Sequence, residues 1–162
     1  MPFTSLHFGP GAALHAASPA RVSFLAFCAA NVLVDVEPLY YMLTGQYPLH
    51  RFFHTYAGVS LVIALTVALF MSLRRQSRLP NPFGWKDLQP GPVAMGAVLG
   101  GCSHIALDGV MHDDIRPLAP FSDANALYQL VSIDTLHLLC LGAGAVGLVV
   151  LALRRVVASA PR

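Results

Sequence analysis

The chain has 162 residues, of which 56% are hydrophobic and only 11% charged, and its mean hydropathy is +0.61, whereas soluble domains carry about a quarter charged residues. Ten Lys+Arg against eight Asp+Glu leave a net charge of only +2, which excludes a nucleic-acid binder with a basic face and a disordered chain. Cys28, Cys102 and Cys140 stand singly in apolar runs with no CxxC spacing, so they read as packing residues rather than the staples of a secreted disulfide domain.

About 20 apolar helical residues cross a bilayer core of roughly 30 Å, and the apolar runs of this chain reach that length. The expectation is an all-α polytopic membrane bundle, residues 1–162 as one integral-membrane domain, with four spanning helices and a short N-terminal helix. The short helix is Leu6 to Ala17. Residues 1 to 20 hold two histidines and no basic n-region, so they do not read as a signal peptide. Val22 to Leu43 follows, interrupted by Asp35, Glu37 and Pro38. Tyr56 to Leu73 is free of charge and stops at Arg74, Arg75 and Arg78. The Pro/Gly-rich stretch from Leu79 to Pro92 is a loop with Trp85 as an interface anchor, and a third span rich in small residues runs from Pro92 to His112. The fourth lies between Leu127 and Leu153 and ends at Arg154 and Arg155.

The region of Arg21, the 74–91 loop and the C-terminus hold eight cations, while the 44–55 and 113–126 loops hold only Arg51 and Arg116. By the positive-inside rule the first group is cytoplasmic. Gly142, Gly144 and Gly147 match GxGxxG, but no strand or suitably placed acidic residue accompanies them, so they serve helix packing rather than a dinucleotide. Gly96 and Gly100 have the GxxxG spacing of close helix approach. No nucleophile motif of Ser, Cys or Thr stands out, and Asp113 with Asp114 reads as a solvated loop start.

Ionisable groups within a bilayer are costly and mark function by default. His50 and His54 lie four apart where the 56–73 helix begins, and on a helical turn both rings would project from one face. His104 and Asp108 repeat the spacing in the outer half of the third span. Asp35 and Glu37 sit near the outer end of an earlier helix, and His7 begins the short one. All fall toward one membrane face. Several imidazoles with two or three carboxylates form a ligand set for one or two divalent ions, Zn²⁺ first among them. Asp134 and His137, three apart, could form a pair that orients a ligand imidazole, whereas His15 reads as a packing residue.

The order of these motifs resembles the membrane-bound metal-dependent hydrolase family described as LexA-binding and inner-membrane-associated (YdjM-like). His7 with Gly9 and Gly11 resembles its N-terminal His and Gly-containing helix, and Asp35-Val36-Glu37 resembles its D-x-D. His50-Arg51-Phe52-Phe53-His54-Thr55 resembles HRxxTHS, one residue shorter, and His104 to Asp108 followed by Pro120-Phe121 resembles its HxxxD and aromatic-closed Pro segment. The resemblance implies metal binding and hydrolysis. With the residue pattern it gives this expectation: His7, Asp35, His50, His54, His104 and Asp108 hold metal, Glu37 is a general base or bridging ligand, and Arg51 and Arg116 hold an anionic group of a phosphoester or lipid-like substrate drawn from the membrane. A metal-ion or proton transporter would need polar groups through the full depth, and a b-type haem protein would not need the carboxylates.

Overall fold

The computed structural model describes residues 5–159. They are helical without a strand. A 3₁₀ turn, Ser5–His7, leads into α1 (Phe8–Ala17), followed by α2 (Phe24–Val34), α3 (Val36–Leu43), α4 (Tyr56–Leu73), α5 (Pro90–Met111) and α6 (Ile133–Ser159). Four stretches are long and apolar enough to cross a membrane: Phe24–Leu43, Tyr56–Leu73, Pro90–Met111 and Ile133–Ser159.

Local chemistry sets the helix boundaries. Ser23 caps α2 by accepting from the Ala26 N–H at 3.2 Å, and Thr55 caps α4 through the Gly58 N–H at 2.8 Å. Proline occupies the first position of α5, where its missing N–H costs nothing. Pro38 cannot donate to the carbonyl of Val34 and its ring crowds that carbonyl, so the expected helix from Val22 to Leu43 breaks at Asp35 into α2 and α3. The last helix begins at Ile133, not Leu127, because the Ser132 hydroxyl accepts from the Thr135 N–H at 3.2 Å, and it runs past Arg154 and Arg155 to Ser159.

Glycines let the backbones meet. A Cβ on Gly96 would lie 2.2 Å from the Ser23 carbonyl oxygen and one on Gly100 2.4 Å from that of Phe27, so the GxxxG of α5 is the seam against α2. Gly147 packs in the same way on Ala12, and Gly144 approaches Gly9, which joins α6 to α1. Two glycines of the GxGxxG match thus pack on α1, while Gly142 faces open space. Helix α5 lies between α2 and α4, and Val34, Val59, Val62 and Ile105 make the core where the three converge. Val34 precedes Asp35 and Ile105 follows His104, so this apolar plug forms the floor of the polar cluster. The connection between α4 and α5 is compact: Trp85 packs edge-on to Phe70 at 6.2 Å and donates to the Pro80 carbonyl.

Candidate metal centre

The N-terminal turn, the α2/α3 break, the 44–55 loop and the C-terminal end of α5 meet at one end of the bundle. Asp35, His54, His104 and Asp108 are all buried and offer ligand atoms within 4.8 Å of one another. A second group, His50, Asp108 and His112, meets the same limit. Asp108 belongs to both.

The spacing is that of donors around a cation. Nε2 of His104 lies 3.1 Å from Oδ2 of Asp108 and 3.3 Å from Oδ1 of Asp35. Nε2 of His54 is 3.5 Å from Oδ2 of Asp108. Tetrahedral Zn²⁺ with bonds of about 2.0 Å puts its ligand atoms about 3.3 Å apart. Nδ1 of His104 lies 3.0 Å from Oδ1 of Asn31, whose amide nitrogen donates to the Phe27 carbonyl at 2.9 Å. The amide oxygen must therefore accept, which puts the His104 proton on Nδ1 and turns the Nε2 lone pair toward two carboxylates. A cation between them, either a proton or a metal ion, relieves this meeting of lone pairs.

Burial strengthens the same conclusion. Six buried atoms have no hydrogen-bond partner among the described residues: both ring nitrogens of His7 and His54, Nε2 of His104 and Oδ1 of Asp108. Leaving a buried polar group unsatisfied costs about 1–3 kcal/mol, so this cluster favours a bound partner. A divalent ion would take one nitrogen from each ring and the carboxylate oxygens, and Asp35, His54, His104 and Asp108 fit that donor set. Burial also lowers the His7 pKa to about 4, leaving that imidazole neutral and able to ligate.

The expected ligands come together, by different local routes. His104 and Asp108 share one face of α5 as the i, i+4 spacing predicts. His50 and His54 do not sit on a helical turn: Arg51 takes φ −119°, ψ −121° and a 3₁₀ turn spans Phe52–His54. Their rings nevertheless meet edge to face at 4.6 Å, because the loop folds back over the end of α5. His7 lies outside both compact groups but brings Nε2 to 3.3 Å from Oδ1 of Asp108.

Glu37 also lies outside the two groups. Its Oε2 accepts the backbone N–H of Arg51 at 3.2 Å and of Phe53 at 2.9 Å, and stands 3.5 Å from Nδ1 of His54. Arg51 and Arg116 flank a cavity of about 590 Å³ that reaches the centre at His50 and Asp114 and is also lined by Tyr47, Phe52, Asp113 and Pro120. The Arg51 guanidinium stacks 3.8 Å from the Tyr41 ring centroid.

Three residues of the site lay outside the expected set. Asp114 is not a solvated loop residue: Oδ1 is 2.7 Å from Nδ1 of His50, and Oδ2 accepts the backbone N–H of Leu49 and His50. Burial opposes its ionisation, but the His50 ring and those two amides outweigh burial and hold the carboxyl below its usual range. The arrangement is a carboxylate–histidine pair that aims Nε2 of His50 at the centre. His112 stacks on His50 at 4.4 Å, and its place four residues after Asp108 was a readable signal. Asn31 gave none beyond being an amide in an apolar helix. Asp134 is exposed and His137 only half-buried, and neither bonds to a ligand imidazole among the described residues. His15 bonds to the Val22 carbonyl at 2.7 Å, a packing role. Compared with protein-family models, curated proteins and solved structures, the chain matches none, so the chemistry rests on this geometry.

Proposed function

We propose that the chain is a membrane-embedded metal-dependent hydrolase of the bacterial inner membrane, similar to the LexA-binding, inner-membrane-associated hydrolases, acting at the outer interface on a phosphoester lipid. One observation carries the reading: two His/Asp groups, buried except for half-buried His112, share Asp108, and His50 of the second lines a cavity that holds Arg51 and Arg116. Asp35, His54, His104 and Asp108 would hold one ion, and His50, His112 and Asp108 would hold a second. Zn²⁺ suits this nitrogen–oxygen set. When bound, such ions supply Lewis acidity and lower the pKa of water toward 7.

The chain's own groups do the rest. Asp114 and Asn31 fix the tautomers and aim of His50 and His104. Arg51 and Arg116 hold the phosphate oxygens from the cavity wall, with charge-assisted hydrogen bonds that strengthen as negative charge develops. Glu37, oriented through Oε2 by two amides, keeps Oε1 to take a proton from the attacking water. The apolar plug of Val34, Val59, Val62 and Ile105 closes the inner side, so substrate enters only from the outer loops. The test is turnover of a phospholipid by zinc-loaded protein in detergent. Hydrolysis lost on chelation and restored by Zn²⁺ is expected, and fully metallated protein inert on phosphodiester and phosphomonoester lipids alike would overturn the reading.

A further inference from the structure

The cavity beside the metal centre holds four charged side chains, but not all of them are free. Asp114 has both oxygens committed, to the His50 ring and to two backbone amides. Arg51 is held by Nε on the Pro48 carbonyl and Nη2 on that of Tyr47, and Arg116 by Nη1 on the carbonyls of Asp113 and Ile115. Each guanidinium keeps N–H groups without a protein acceptor among the described residues and is fixed in place by those it has used. Asp113 is exposed, and its carboxylate forms no ion pair among the described residues. The free charges of the cavity are thus two cations and one anion.

We propose that this cavity is a headgroup site for a zwitterionic phospholipid, in which Arg51 and Arg116 hold the phosphate and Asp113 holds a terminal primary amine. The charges complement a phosphate joined to an ammonium. A headgroup without an amine would leave Asp113 unpaired beside the phosphate, a like-charge penalty that selects against it. Tyr47, which lines the same cavity and is 71% exposed, offers an aromatic face to the ammonium. The surroundings favour a lipid over a soluble phosphoamine: Phe52 of the lining is 52% exposed, and Leu118 and Phe121, which flank the lining residues Ala119 and Pro120 in sequence, are 53% and 91% exposed, apolar surface for acyl chains and the bilayer interface. The inference rests on the hydrolase reading for the fate of the lipid, not for its binding.

Equilibrium binding to purified full-length protein in detergent tests it, using dihexanoyl phosphatidylethanolamine, dihexanoyl phosphatidylglycerol and soluble glycerophosphoethanolamine as probes. The wild type should prefer the ethanolamine lipid by about tenfold, the worth of one charge-assisted contact. Asp113→Asn should bring that affinity down to the level of the glycerol lipid, while Arg116→Gln should weaken both by a similar factor. Equal or tighter binding of the glycerol lipid, an unchanged preference in Asp113→Asn, or binding of neither lipid would overturn the headgroup site. Soluble glycerophosphoethanolamine binding as tightly as the lipid would overturn the lipid source. Selective binding without any turnover would refute the hydrolase reading alone.

Discussion

Asn31→Leu isolates the control of the His104 proton from the ligands themselves. Leucine keeps the branched shape and heavy-atom count of asparagine but removes the Oδ1 that lies 3.0 Å from Nδ1 of His104. The Nδ1 proton then has no acceptor, and its buried orphaning costs about 1–3 kcal/mol. The ring can escape by moving the proton to Nε2, where Asp108 at 3.1 Å and Asp35 at 3.3 Å accept it. That tautomer competes directly with metal. Loss of such a partner typically costs 10- to 100-fold in metal affinity, or about 1.4–2.7 kcal/mol. Competition with a chromophoric zinc chelator measures the change. Thr66→Val is the control, since it removes another buried hydrogen bond, to the Val62 carbonyl at 2.8 Å on α4, and should leave zinc affinity unchanged. Equal zinc affinity in Asn31→Leu and wild type would refute the tautomer argument.

Asp114→Asn should loosen the His50 ring and lower bound metal from two ions toward one, read by plasma mass spectrometry, whereas His15→Ala should keep full occupancy. Gly100→Val should abolish the folded monomer in size-exclusion chromatography because its Cβ meets the Phe27 backbone, while Gly142→Ala, with nothing within 4 Å, should be silent. The metal-free protein should lose thermal stability as pH falls. Burial takes His7 from 6.5 to about 4 in the folded chain, so the unfolded chain binds that proton first and acid favours unfolding across this window. A flat melting profile from pH 7 to 4 would contradict it. Cysteines placed at Gln46 and Ser122 should react with an impermeant maleimide from outside the cell, and one placed at Arg78 should not.

Much of the bundle was legible because a membrane helix announces itself by length and by the absence of charge, as Tyr56–Leu73 does. The seams were legible too: Gly96 and Gly100 sit four apart and meet successive turns of α2. The site was legible where ligands share a helix, as His104 and Asp108 do. It was less so where a loop carries them. His50 and His54 meet through a fold-back that depends on Asp114, some 64 residues on, and on Glu37, which pins the amides of Arg51 and Phe53. Spacing in sequence cannot report such long-range bonds. Asn31 escaped for a related reason, since its meaning comes only from the ring it faces on another helix. The start of α6 was misplaced because residues 127–132 are mostly apolar but bonded elsewhere: Gln129 N–H donates to the Val110 carbonyl at 3.0 Å, which docks this stretch on the end of α5.

The measurement that bears most directly on the central claim is metal stoichiometry in detergent-purified wild type and Asp108→Asn, after supply of Zn²⁺ and removal of the excess. Because Asp108 alone belongs to both buried groups, the account predicts two ions per wild-type chain and a loss at both positions in the variant, with helicity unchanged by circular dichroism. Folded wild type that takes up no Zn²⁺ when it is supplied, or Asp108→Asn retaining both ions, would contradict it.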